Sequence, residues 1–183
     1  MAVNEMVFLS RDCKVSIIPS GETMVLAPGT QVWITQALGG AYTVMTGSGQ
    51  LVRIDNSDAD AIGKEVTPPP ASSADGAAEG SLEKMVWDQL KTCYDPEIPV
   101  NIVDLGLVYH CGVTPVAEGG NRVDVRFTLT APGCGMGEVL KRDIQGKVAH
   151  IPDVTQSNIE VVLDPPWNQG LMSVAAQLQL GLT

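Results

Sequence analysis

Residues Arg122 to Ala149 read RVDVRFTLTAPGCGMGEVLKRDIQGKVA, and the change of period inside this stretch decides the fold. Val123, Val125, Phe127 and Leu129 alternate with Asp124, Arg126 and Thr128, the two-residue period of a half-buried strand. From Glu138 onward Val139, Leu140, Ile144 and Val148 recur at helical spacing, which predicts a helix from Gly137 to about Ala149. Between the two lies a turn with Cys134 among Gly133, Gly135, Met136 and Gly137. A thiol just before the first helical amides meets unpaired N–H groups and the positive end of the helix dipole, which favour the thiolate. The three glycines remove bulk, so that a metal, a cluster or another protein can come close. The same residues also suit a tight turn around a packed cysteine, since free cysteine is among the most buried residue types.

Outward from this stretch, the rest of the second half falls into place. Ser81 can cap a helix carrying Leu82, Met85, Val86 and Leu90 on one face. The Asp95-Pro96-Glu97-Ile98-Pro99 segment cannot continue that helix. Leu105–Val113 and Arg122–Thr130 read as a hairpin, Asn158–Leu163 as a third strand, and Leu171–Leu182 as an apolar closing helix. The expected order is α-β-β-α-β-α. Its β-α-β part demands a parallel pair with a right-handed crossover, while the hairpin adds an antiparallel neighbour. The result is an α+β fold, a small α/β sandwich with a mixed sheet. The open face of so small a sheet is expected to be covered by the helices or by a second subunit, which leaves a homodimer open.

Val66 to Gly80 is rich in proline, alanine and serine and offers almost nothing to bury, so a flexible linker is expected over 66–80. The expected organisation is a β-rich module over 1–65, the linker, and an α/β domain over 81–183. The module shows short runs, Val15–Ile18, Thr23–Leu26, Gln31–Thr35, Tyr42–Thr46 and Leu51–Ile54, punctuated by turn residues, the pattern of a small antiparallel sheet or barrel.

Composition excludes several functions. A hydrophobic fraction of 44% supports a core, which only 4% aromatic residues leaves to aliphatic side chains. A net charge of −10 opposes binding to nucleic acid or to an anionic membrane surface. Met1 to Lys14 lacks a signal-peptide pattern, and no run is long enough for a membrane span, so a cytoplasmic location is expected. Cys13, Cys93, Cys111 and Cys134 form no C-x-x-C pair, which argues against a zinc knuckle or a disulfide framework.

Two further strings carry candidate chemistry. Asp95, Glu97 and Asp104 are three carboxylates that could bind metal or act as acid and base, although turn formation explains the same residue types. Asp164-Pro165-Pro166-Trp167 follows the third strand. Alone it looks like the catalytic tetrapeptide of adenine-N6 methyltransferases, but no glycine-rich cofactor loop accompanies it. The two prolines can simply stop the strand while Trp167 covers the sheet end. Because the strands before Cys134 and Trp167 are expected to run parallel, both residues belong to one sheet edge. His110 and Cys111 share a strand, so only one of them faces the core. Cys93 closes the first helix and His150 the second.

Taken together, the run Asp95 to Tyr109, the run Thr128 to Gly137 and Asp164–Trp167 resemble the metal–sulfur cluster biosynthesis proteins, specifically the SufT type. Relatives include the PaaD-type oxygenase maturation proteins and a eukaryotic cytosolic iron–sulfur targeting component. The likeness covers roughly residues 82–183, and Ile17–Glu22 with Ile34–Gly40 resemble the extra region of the SufT subtype. The resemblance implies a non-enzymatic factor that matures iron–sulfur proteins, on a scaffold-like α/β sandwich. It assigns the family cysteine to Cys134, with Gly133, Gly135, Met136, Gly137, Asp95, Glu97, Asp104 and Trp167 in support. A transient iron–sulfur cluster is the implied cofactor, and the assembly machinery and apo-client proteins are the implied partners. Two other readings of the same residues are a cysteine-dependent enzyme, which needs a histidine base, and a pure protein-interaction module that recruits clients.

Overall fold

The computed structural model describes residues 2–67, 79–95, 98–131 and 135–182. Glu97, Gly133 and Cys134 lie outside the described residues, as does most of the expected linker. Two compact units divide the description. One comprises 2–67 with 98–99, and the other 79–95 with 100–182.

The first unit is a six-stranded antiparallel sheet built from β1 (Ala2–Phe8), β2 (Cys13–Ile17), β3 (Thr23–Leu26), β4 (Gln31–Leu38), β5 (Ala41–Thr46) and β6 (Leu51–Ile54), in the order β1-β4-β5-β6-β2-β3. Alternation decides which side is buried: Val15, Val32, Ile34, Val44, Val52 and Ile54 point into one core with Leu9 and Cys13. A short 3-10 helix, Asn56–Ile62, adds Ala61 and Ile62 to that core. Arg11 pins this helix through Asp58 at 2.9 Å and Asp60 at 2.6 Å. These ion pairs sit in solvent, so they orient the helix more than they stabilise it.

The second unit carries α1 (Glu79–Leu90), β7 (Val108–Pro115), β8 (Asn121–Phe127), α2 (Gly137–Ala149), β9 (Val154–Val161) and the short α3 (Val174–Gln179). It is a mixed α+β arrangement. The sheet order is β7-β8-β9, with β7 antiparallel and β9 parallel to β8. A parallel pair cannot be closed by a hairpin, and α2 supplies the crossover. Val123, Val125, Phe127 and Ile159 line the buried face, while α2 contributes Val139, Leu140, Ile144 and Val148, and α1 contributes Val86 and Leu90. Lys147 Nζ on α2 donates to the Thr92 carbonyl just past α1 at 2.6 Å, tying the two helix ends.

The helices, one of the two expected covers, leave the opposite face open. Cross-strand rows there are polar: Arg122 beside Gln156, Asp124 beside Asn158, Arg126 beside Glu160. Arg126 pairs with Glu160 at 3.1 Å and Arg122 with Asp124 at 3.0 Å, so this face is built for water. Strand boundaries also move. The predicted strand start at Leu105 becomes Val108, because Asn101 to Leu107 is a hydrogen-bonded turn whose Ile102, Leu105 and Leu107 are fully buried. The predicted closing helix Leu171–Leu182 contracts to Val174–Gln179, with a 3-10 turn at Gln169–Leu171 before it and Gly181 in the left-handed region after it.

Gly106 shows how tightly that turn is held. Its φ is +74°, and a Cβ there would collide with the backbone carbonyl of Leu171. The Gly106→Ala substitution should therefore cost about 2 kcal/mol or more, combining left-handed strain with a displaced backbone. A lowered urea midpoint checks this. An unchanged midpoint would show that the turn is free to open.

Candidate functional site

β8 and β9 run in the same direction, so the segments that leave them share one edge of the sheet. There Val162 N donates to Phe127 O at 2.8 Å and Thr128 N to Leu107 O at 2.8 Å, which stitches the ends of β9 and β8 and the 101–107 turn together. After Ala131 come Pro132, Gly133 and Cys134, and the described chain resumes at Gly135. Met136 is buried and occupies the N-cap position of α2, where it offers no side-chain acceptor to the first helical amides. The start of α2 thus keeps donor groups and the positive dipole end uncompensated by its cap, with Glu138 as the acidic residue of the first turn. Gly137 is buried for a packing reason. A Cβ there would stand 3.1 Å from Leu129 Cδ1 and 3.8 Å from Val161 Cγ2, so the missing side chain lets the helix start close against both strands.

Asp164–Trp167 closes the same edge. The Asp164–Pro165 peptide is cis, Tyr109 Oη donates to Pro165 O at 2.8 Å, and Trp167 Nε1 donates to Leu105 O at 2.7 Å. Trp167 thus satisfies a buried carbonyl of the turn that carries Asp104. Asp104 accepts from Asn101 Nδ2 at 2.6 Å, while Asn101 Oδ1 accepts from Val103 N at 3.1 Å and Asp104 N at 2.9 Å. The main-chain oxygen of Asp104 takes Ser173 N at 2.8 Å. Of the three candidate carboxylates, Asp104 is therefore a turn-builder at this edge. Asp95 is buried, with its N–H donated to Val100 O at 3.4 Å. Asn101 and Tyr109 belong to the framework of the site although neither was singled out from the sequence. The Asn-x-x-Asp spacing, which suits an Asx-turn, was the available signal for Asn101.

The other thiols are kept out of play. Cys93 is fully buried at the end of α1 and its Sγ donates to Gln89 O at 3.8 Å. Cys111 faces the α1 side of β7, and burial, aided by the charge of Glu83, pushes its thiol up to about 11. In the first unit, burial and then the Asp58 carboxylate push Cys13 up to about 11. His110 stands exposed beside Arg126 on the polar face, and His150 follows the last turn of α2 with Nδ1 against the Gly146 carbonyl. Among the described residues no three His, Cys, Asp or Glu side chains gather as a metal would require, and no helix is long and apolar enough to cross a membrane.

A family model described as iron–sulfur cluster assembly protein matches residues 83–161. The Fe-S protein maturation auxiliary factor of Porphyromonas gingivalis is 41% identical over 99 residues, covering 54% of this chain and 90% of that protein. The Fe-S protein maturation auxiliary factor SufT of Staphylococcus aureus is 38% identical over 89 residues, covering 49% of this chain and 97% of its own length. Among solved structures, a domain of unknown function (DUF59) from Bacillus anthracis is similar at 32% identity with a TM-score of 0.50, covering 57% of this chain and 95% of that one.

The thiol environments yield a direct expectation. At pH 8 a thiol raised from 9.0 to about 11 has a thiolate fraction lower by on the order of 100-fold, so Cys13 and Cys111 should alkylate that much more slowly than an unperturbed thiol. Their labelling should accelerate only as pH climbs toward 11. Peptide mass spectrometry after timed iodoacetamide treatment checks it. Fast labelling of Cys111 in the native chain at pH 8 would refute its raised, protonated state.

Proposed function

Because the chain belongs to the iron–sulfur cluster assembly protein family, we propose that Cys134 is the thiolate through which it takes up or hands on a cluster. Its role is that of an accessory factor in iron–sulfur protein maturation. The cluster is cargo, held briefly and passed to apo-client proteins by way of the assembly machinery. The observation that carries this proposal is the uncapped start of α2, which the sequence puts three residues after Cys134 at the edge shared by β8 and β9. Iron–sulfur centres typically use four thiolates. Cys93, fully buried, and Cys111, its thiol raised by desolvation, make poor partners for an exposed cluster. The remaining ligands then come from outside, from an exogenous thiol, the client, an assembly partner or a second copy of the chain.

The same geometry supports a non-enzymatic role. A cysteine nucleophile needs a positioned base. His150 lies beyond the far end of the 13-residue α2, roughly 20 Å from its start. His110 projects from the polar face of the sheet. Neither suits activation of a thiol at the start of α2. In this proposal 81–183 is the working domain, a sandwich of the cluster-scaffold kind. The 66–80 segment is a linker, 1–65 is a β-rich docking or structural module, and the chain works in the cytoplasm.

Anaerobic reconstitution with iron and sulfide, followed by visible absorbance and iron and sulfide analysis per chain, tests the proposal. The wild type should take up both, and Cys134→Ala should bind at least ~10-fold less, as loss of a ligand requires. Equal and negligible uptake by both would overturn cluster carriage. Full client maturation by Cys134→Ser would overturn the thiolate role.

A further inference from the structure

The most unusual surface of the second unit is the outward side of α3. Ser173 caps this helix, its Oγ accepting from Ala176 N at 3.2 Å, and its main-chain N–H anchors the helix to Asp104. Met172 and Ala176 are buried. Val174 is 70% exposed and Leu178 62%, with Leu171 and Leu182 also exposed at either end. The helix therefore turns its small residue inward and its large apolar residues toward solvent, the reverse of an ordinary surface helix.

We propose that a second copy of this chain covers this face, with the two α3 helices packed antiparallel about a twofold axis. Two observations favour a self-contact. The first is the spacing. Val174 and Leu178 stand symmetrically about Ala176 on α3, so in an antiparallel pair Val174 meets Leu178 of the second copy, with Leu171 and Leu182 just beyond the helix ends. An isologous interface requires such a self-complementary stripe. The second is charge. From Pro165 to Thr183 the sequence has no Asp, Glu, Lys, Arg or His, although the whole chain carries −10. A charge on the twofold axis would meet its own copy, and an uncharged stripe avoids that repulsion. The polar face of the sheet, with its ion pairs already satisfied, has no such need.

This pairing does not depend on the chemistry of Cys134, and the test separates the two. Sedimentation equilibrium of the full chain at about 100 µM should give twice the monomer mass. Association should tighten as ionic strength rises from about 0.05 to about 0.5 M, because screening relieves the repulsion between two acidic chains while an apolar contact has no ion pairs to lose. Cys134→Ala should dimerise like wild type. Val174→Glu and Leu178→Lys, both at exposed positions that do not threaten folding, should each give monomers. An equimolar mixture of the two should recover a dimer, because opposite charges then face each other across the axis. A wild-type monomer throughout this range would overturn the inference. So would failure of the mixture to recover, or dissociation by Val25→Glu on the first unit with no effect from Val174→Glu.

Discussion

The parallel pairing of β8 with β9 is the constraint on which the second unit depends. Two parallel strands need a crossover, and α2 can serve as one only if it starts where β8 ends and finishes where β9 begins. That requirement forces the turn entering α2 and the segment leaving β9 onto the same edge. Gly137 then suits the close approach, since a Cβ there would stand 3.1 Å from Leu129 Cδ1 and force that side chain to shift. The 101–107 turn is drawn to the same place by Thr128 and Trp167, which bind its carbonyls. Three separate stretches of sequence meet at one edge because a single strand pair must be closed.

What the sequence made legible follows from how local each signal is. The switch from period 2 to period 3.6 around Cys134 marked β8 and α2, and α2 spans Gly137–Ala149 as expected, because both patterns rest on nearest neighbours along the chain. The shortened closing helix also had a local signal, in the glycines at 170 and 181, but the apolar run between them outweighed it. Other features depend on contacts distant in sequence. β1 was invisible because Asn4, Glu5 and Met6 give no clear alternation, and its strand exists through pairing with β4. The 3-10 helix of Asn56–Ile62 looks like an acidic loop until Ala61 and Ile62 are seen filling the core of the sheet. The start of β7 was misplaced because Leu105 and Leu107 are buried as turn residues, not as alternating strand residues.

The polar sheet face carries a related lesson. The helices leave it open, and Arg122, Asp124 and Arg126 already marked in the sequence one side of β8 as polar. A charged residue buried without a partner costs far more than an exposed sheet face. The candidate site was legible in part for a different reason. Trp167 binds the Leu105 carbonyl and the Asp104 main-chain oxygen takes Ser173 N, contacts that no sequence pattern names, so their presence at the edge could be inferred but not their work there.

Three thiols of this fold, Cys13, Cys93 and Cys111, are withheld from solvent to different degrees. Cys93 is fully buried, and desolvation raises the Cys13 and Cys111 thiols toward the protonated form, so all three are poor ligands. Under the proposed role this sorting has a purpose. A chain that offered four accessible thiolates would hold a cluster as tightly as the client it serves, and delivery would stall. One thiolate at the uncapped end of a helix can take part in binding without completing it. The cluster then stays bound only while other molecules fill the remaining positions, and it leaves with whichever of them supplies more ligands. For an accessory factor, incomplete coordination is therefore what allows the cargo to move on.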